Sequence, residues 1–300
     1  MDIRELDLSV YSEAKPENPV HLLFIHHPDD GLLMAGPGRV NGESGILRTH
    51  PGGGGLRQLL GQNNYVVHEA SHGSRIGSGT DVCHWNRKFR DNMQRILATR
   101  HQDMLYTDGT RNRAVMFQPG PSSSWIDAAG AEPGNPDSRE KTLANYRAAY
   151  LSLLNYFRKE PDTLFIAVTP CALVKPEPAA GIIGRFLGGR DPAAIHETGK
   201  RIRSFNNWLK NVYSGWLHGY ALKNVVVFDY YDILTAHGIS NWLRYVLTES
   251  KDGRPSAEGN AQAAREFIPF INRALNRMAE RASPFSTVKQ GDFMRKASAR

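Results

Sequence analysis

Cysteine is nearly absent from this chain: Cys83 and Cys171 are the two among 300 residues. They form neither a CxxC pair nor a zinc-finger spacing, which excludes a disulfide framework and a zinc ribbon. Long apolar runs are missing as well. No stretch approaches the ~20 apolar residues that a membrane span needs, and the opening MDIRELDLSVYSEAKPENP holds no apolar signal core. The expectation is a soluble, cytoplasmic protein with no membrane association. A concentrated basic stripe is also lacking, although 37 Lys and Arg face 30 Asp and Glu, for a net charge of +7 and a pI near 9.4. The basic residues are scattered, with a mild excess from Arg185 to Lys223 and in the tail to Arg300. A nucleic-acid partner would require a stripe interleaved with aromatics, so none is expected.

What the chain does have is the composition of a globular protein, 40% hydrophobic and 22% charged. Its length allows one large domain or two small ones. Short apolar runs recur, each followed by a longer helical pattern. The runs are Val20 to Ile25, Tyr65 to Val67 extended by His68, Ala114 to Phe117, Thr163 to Val168 and Asn224 to Phe228. Each is rich in β-branched or aromatic residues and bounded by Gly, Pro, Asn or Asp, as buried strands are.

Helical spacing spans Gly55 to Gln62, Trp85 to His101, Ser138 to Lys159, Thr198 to Trp216 and Ser256 to Ala279, the last with Ser256 as N-cap. This alternation predicts right-handed βαβ units, a mainly parallel five-stranded sheet and helices on both faces. Ligands of such sheets bind beyond the carboxyl ends of the strands. Three segments follow: a polar extension over 1–19, the α/β domain over 20–280, and a basic tail over 281–300 that would be flexible or dock a protein partner. Residues 36–55, with eight glycines and two prolines, read as a flexible loop over the pocket. GPGRV at 36–40 and PGGGG at 51–55 lack the Gly-Lys-Ser/Thr of a phosphate loop. Trp208, Trp216 and Trp242 stand at helical positions and are expected in the core.

Four stretches together resemble the SGNH (GDSL-like) hydrolase family. They are FIHHPDDG at 24–31, QNNYVVHEASHGSRIGSGTD at 62–81, VMFQPGPSSSWI at 115–126, and FNNWL at 205–209 with VVVFDYYDILT at 225–235 and KDGRPSAEGNAQAAREFIPFI at 251–271. The resemblance runs from about residue 20 to 275 in the family's order. It implies a flavodoxin-like three-layer sandwich, and a serine that attacks an acyl carbonyl while a histidine takes its proton and backbone and Asn amides hold the oxyanion. On this chain the serine position is Pro28, which has neither hydroxyl nor backbone N–H. The histidine position is Arg254, always protonated and no base. Asp252 matches the family Asp, Gly73 the second-block Gly donor, and Ser123, or a neighbour within Ser122 to Ser124, the Asn. Removing a triad costs about 10⁶ in kcat, so a conventional serine esterase is not expected.

Two features offer substitute chemistry. His26, His27, Asp29 and Asp30 lie on one turn at a strand's carboxyl end, with His72 in the second block. Imidazole and carboxylate are ligands of catalytic zinc and non-haem iron, and a bound metal would activate water without a serine. His27 to Asp30 also resembles the HPDD turn of the zinc-dependent sugar N-deacetylases, although Gly31 replaces the Glu that follows and no His-x-x-His lies downstream. The alternative is structural histidines and turn-forming aspartates. Arg254 is the second feature. It would hold a substrate carboxylate or phosphate in bidentate fashion, or pair with Asp252 or Asp30. The expectation is therefore an atypical enzyme using His27, Asp30 and Asp252, with Gly73, Ser123 and Arg254 on a small acylated or anionic substrate. The alternative is an inactive relative that binds a ligand or partner.

Overall fold

The computed structural model describes residues 6–175, 192–247 and 254–280. Five strands form the central sheet: β1 (Val20–Ile25), β5 (Tyr65–Ala70), β8 (Ala114–Phe117), β9 (Leu164–Val168) and β10 (Val225–Phe228). All pair in parallel, in the order β10-β9-β8-β1-β5. Counted along the chain this is 2-1-3-4-5, the flavodoxin-like order, whose switch point lies between β1 and β8. β1, β8 and β9 are apolar and mostly fully buried because helices cover both faces of a doubly wound sheet.

Helix α1 (Leu56–Gln62) packs against α6 (Ala257–Met278). On the other side α2 (Val82–Ala98) packs on α3 (Leu143–Phe157), which meets α4 (Pro192–Lys210). A short α5 (Tyr230–Leu234) follows β10. The strand expectations agree with these bounds to within one residue at nearly every end, β5 running two residues past His68. The second helix begins three residues before Trp85 and stops at Ala98, because Thr99–His101 becomes β6 of a small hairpin with β7 (Met104–Leu105). That hairpin covers the exposed edge of β5: Gln102 N–H donates to the Glu69 carbonyl at 2.9 Å. Ser256 does cap α6, its hydroxyl accepting from Gly259 N–H.

The core is aromatic between β8, β9 and the helices over them. Phe157 stacks on Phe165 at 4.0 Å between ring centroids, Phe89 meets Phe117 and Phe157 edge-on, and Trp216 is fully buried with its indole N–H on the Tyr150 carbonyl. Of the three tryptophans expected inside, Trp216 is there, and Trp208 and Trp242 are half-buried. The described part of the polar extension lies along α6, where Asn272 and Asn276 side chains donate to the carbonyls of Glu13, Ser12 and Ala14.

The expectation of a flexible loop over 36–55 is corrected. These residues form a three-stranded sheet of β2 (Gly36–Pro37), β3 (Asn41–Glu43) and β4 (Ile46–His50). Its hairpin tip, Gly45 at φ +75°, lies against the turn after β1. A Cβ there would stand 3.1 Å from Ser71 Oγ and 3.3 Å from Pro28 Cγ. Among the described residues no helix is long and apolar enough to cross a membrane. Asp252 and the basic tail over 281–300 lie outside the described residues.

Candidate functional site

Four of the five strands contribute to one cavity at their carboxyl ends. β1 leads into a 3-10 turn, Pro28–Leu33, opened by proline at its first position, where a missing N–H costs nothing. β8 leads into a second 3-10 turn, Pro121–Ser124, β9 into Cys171 to Val174, and β10 into Tyr230. Together with Arg254 and Pro255, just ahead of α6, these segments enclose a volume of about 290 Å³.

Asp30 is the chemical centre of the cavity wall. Its side chain is buried, and Oδ1 accepts from Gln118 Nε2 at 3.1 Å across the β1–β8 switch point. Its Oδ2 is buried with no hydrogen-bond partner. Burial first, and then the neighbouring Asp29 charge, push the Asp30 carboxyl well above its ordinary 3.8, against a weaker opposing hydrogen bond. Burial thus favours the protonated form of Asp30. Cys171 and Tyr230 stand close enough for Asp30 to raise both of them further, after burial has done most of the work. The Tyr230 hydroxyl donates to Asn260 Oδ1, and Ser124 Oγ donates to the Cys171 carbonyl at 2.6 Å. Arg254 reaches Asp29 at 3.7 Å, half-buried at the rim. Arg254 thus pairs with Asp29, a partner not among the two expected for it.

The cavity unites Asp29, Asp30 and Arg254, and His26, His27, His72, Gly73 and Ser123 are not part of its lining. His26 is fully buried behind the turn. Its Nδ1 donates to the His27 carbonyl at 2.7 Å and its Nε2 meets Glu69 Oε1 at 3.2 Å, so both ring nitrogens are committed. Gly31 follows from this: a Cβ there would stand 2.9 Å from His26 Cε1, which leaves no room for the carboxylate of an HPDDE turn. Glu69 also holds Arg57, and although burial alone would raise it, the hydrogen bond and charge of His26 and the charge of Arg57 keep it below 4.5. His27 is half-exposed, accepts from Asp29 N–H through Nδ1, and faces Gly120. His72 is exposed on the far side of Gly45.

The metal expectation on His26, His27, Asp29, Asp30 and His72 is therefore corrected. Among the described residues no group of three His, Cys, Asp or Glu side chains could hold a metal ion. Gly73 N–H donates to Ser78 Oγ at 3.1 Å. Ser123 turns to the start of α2, its hydroxyl accepting from Val82 N–H at 3.3 Å, while its neighbour Ser124 lines the cavity. Gln118, Cys171 and Tyr230 were not foreseen as site residues. Their signal was positional: each stands within three residues of a strand's carboxyl end.

No protein-family model matches the chain, and no curated protein matches it. Solved structures do. One is the acetylxylan esterase Axe2 from Geobacillus stearothermophilus, at 14% identity and a TM-score of 0.40 over 86% of this chain and 94% of that one. Another is a carbohydrate esterase family 2 enzyme with a carbohydrate-binding domain from Corynascus thermopiles (Myceliophthora fergusii). It shows 13% identity and a TM-score of 0.37 over 87% of this chain and 67% of that one. The central sheet, its order and its helical layers define a doubly wound α/β protein with a cavity at the switch point.

Proposed function

We propose that this chain binds a small carboxylate or acyl compound in the cavity beside Asp30 and Arg254, on a hydrolase-type scaffold that does not run serine chemistry. The observation that carries this reading is the Asp30 carboxyl, buried, fixed through one oxygen by Gln118 and unpartnered at the other, with burial favouring its protonated form. A protonated carboxyl donates, and the Arg254 guanidinium supplies further donors and a positive charge. Donors facing a small cavity favour a ligand that only accepts: a carboxylate, or the carbonyl of an ester or of an acylated sugar. Against serine-type acyl transfer stands the resemblance, which puts Pro28 in the nucleophile's place and Arg254 in the base's; the Gly73 N–H also donates to Ser78 Oγ.

A second reading rests on the same carboxyl. An acid kept protonated near neutrality is suited to protonate a leaving group, which would make Asp30 the general acid of an atypical enzyme. One experiment tests both: thermal-shift screening against short mono- and dicarboxylates and acylated sugars, with NMR on every compound that shifts Tm. The expected result is a shift with at least one compound, lost in Arg254→Ala and reduced in Asp30→Asn, with the compound unchanged after incubation. Consumption of the compound, abolished by Asp30→Asn, establishes the second reading instead. No shift with any compound, or labelling of the native chain by a fluorophosphonate probe, overturns the proposal.

A further inference from the structure

At the opposite end of β1 from the cavity, the sheet brings together two histidines and a tyrosine that the proposed function does not use. We propose that His21, His68 and Tyr106 bind one divalent transition-metal ion of the zinc type, which ties the segment after the β6–β7 hairpin to strands β1 and β5.

The placement follows from strand register. His21 pairs with Val66 and Leu23 with His68, so the two histidines are diagonal neighbours on one face of the parallel β1–β5 pair. Tyr106, one residue beyond β7, is anchored by its N–H on the Ala98 carbonyl and brings its hydroxyl to the same point. His21 Nδ1 lies 3.0 Å from His68 Nε2, and the Tyr106 oxygen lies 2.8 Å from the first and 2.6 Å from the second. The imidazole planes are within 7° of parallel, and the tyrosine ring stands across them at 85° and 87°.

Three ligand atoms thus make three mutual contacts, and protons cannot satisfy them all. A neutral imidazole nitrogen either donates once or accepts once in the ring plane, and the phenol has one hydrogen. At most two of the contacts are hydrogen bonds, so the third sets two heteroatoms against each other in a half-buried site. A metal ion converts all three into ligands. Zinc–nitrogen bonds of about 2.0–2.1 Å in tetrahedral geometry put ligand atoms about 3.3 Å apart, so each must retreat by only a few tenths of an ångström.

Asp108 is close enough to feel His21 and favours a cation, while Arg100 beside His68 opposes one. Two imidazoles and a phenol oxygen suit zinc, copper or iron rather than calcium or magnesium, and three protein ligands leave a position for water. The site is independent of the cavity and does not rest on its reading.

The test is calorimetric titration of EDTA-treated full-length protein with Zn²⁺, beside Tm measured with and without the ion. The expected result is one Zn²⁺ per chain and a raised Tm, both lost in His21→Ala and weakened in Tyr106→Phe, with His72→Ala, an exposed histidine, unchanged. Tyr106→Phe preserves shape, so it remains informative even if a His68 variant fails to fold. No saturable binding overturns the proposal, and so does binding that survives both His21→Ala and Tyr106→Phe.

Discussion

Two buried carboxyls a few residues from the same turn answer pH in opposite directions. Asp30 is raised above 3.8 by burial and by Asp29. The folded chain therefore keeps a proton that the unfolded chain loses above about pH 4, and Asp30 contributes less to stability as pH rises towards its folded value. Asp30→Asn keeps the shape and removes that cost. Its Tm should exceed the native Tm by a margin that is wider at pH 7 than at pH 4, and a margin independent of pH would show that Asp30 is ionised. Glu69 is held below 4.5, so its contribution is present above that value and lost as pH falls through the folded value. Glu69→Ala strands the fully buried His26 and half-buried Arg57, and urea denaturation should show a loss of about 3–5 kcal/mol. These two substitutions separate a carboxyl that burial raises from one that its partners lower.

At the scale of elements, the glycine-rich β2–β3–β4 sheet decides which part of the strand-end region is open. Its tip at Gly45 lies against Pro28 and Ser71, whereas the cavity is lined by Asp30, Tyr230 and Arg254. Gly45 adopts φ +75°, and a branched side chain there would press on both neighbours. Gly45→Val should cost about 1–3 kcal/mol by overpacking, to which backbone strain adds. Chemical denaturation would read that loss, and a neutral result would mean that the hairpin tip is not seated on the turn. The β6–β7 hairpin plays a comparable part at the other edge, capping β5 and delivering Tyr106 to the histidines.

The whole molecule is held by the aromatic layer between β8, β9 and α2–α3, on which every strand end at the cavity depends. Phe165 is fully buried and stacked on Phe157 at 4.0 Å. Phe165→Ala should cost about 3–5 kcal/mol, a large part of the roughly 5–15 kcal/mol that a domain has. The variant should melt well below the native chain in calorimetry, and it should lose affinity for any cavity ligand only in proportion to its unfolded fraction.

The strands, the long helices, the Ser256 cap and the carboxyl-end location of the site were legible in the residues, because strand and helix periodicity and N-cap chemistry are local. Proline at position 28 and arginine at position 254 were equally plain. Four things were settled only by tertiary packing. The direction of His26, turned inward to Glu69 by a contact 43 residues along the chain, removed it from any metal. The partner of Ser123 on α2 and the pairing of Arg254 with Asp29 depend on how loops from separate strands meet. The His21, His68 and Tyr106 triangle exists only through strand register. Spacing along a chain tells which way a side chain leaves its own element, and what it then meets is fixed by elements far away in sequence.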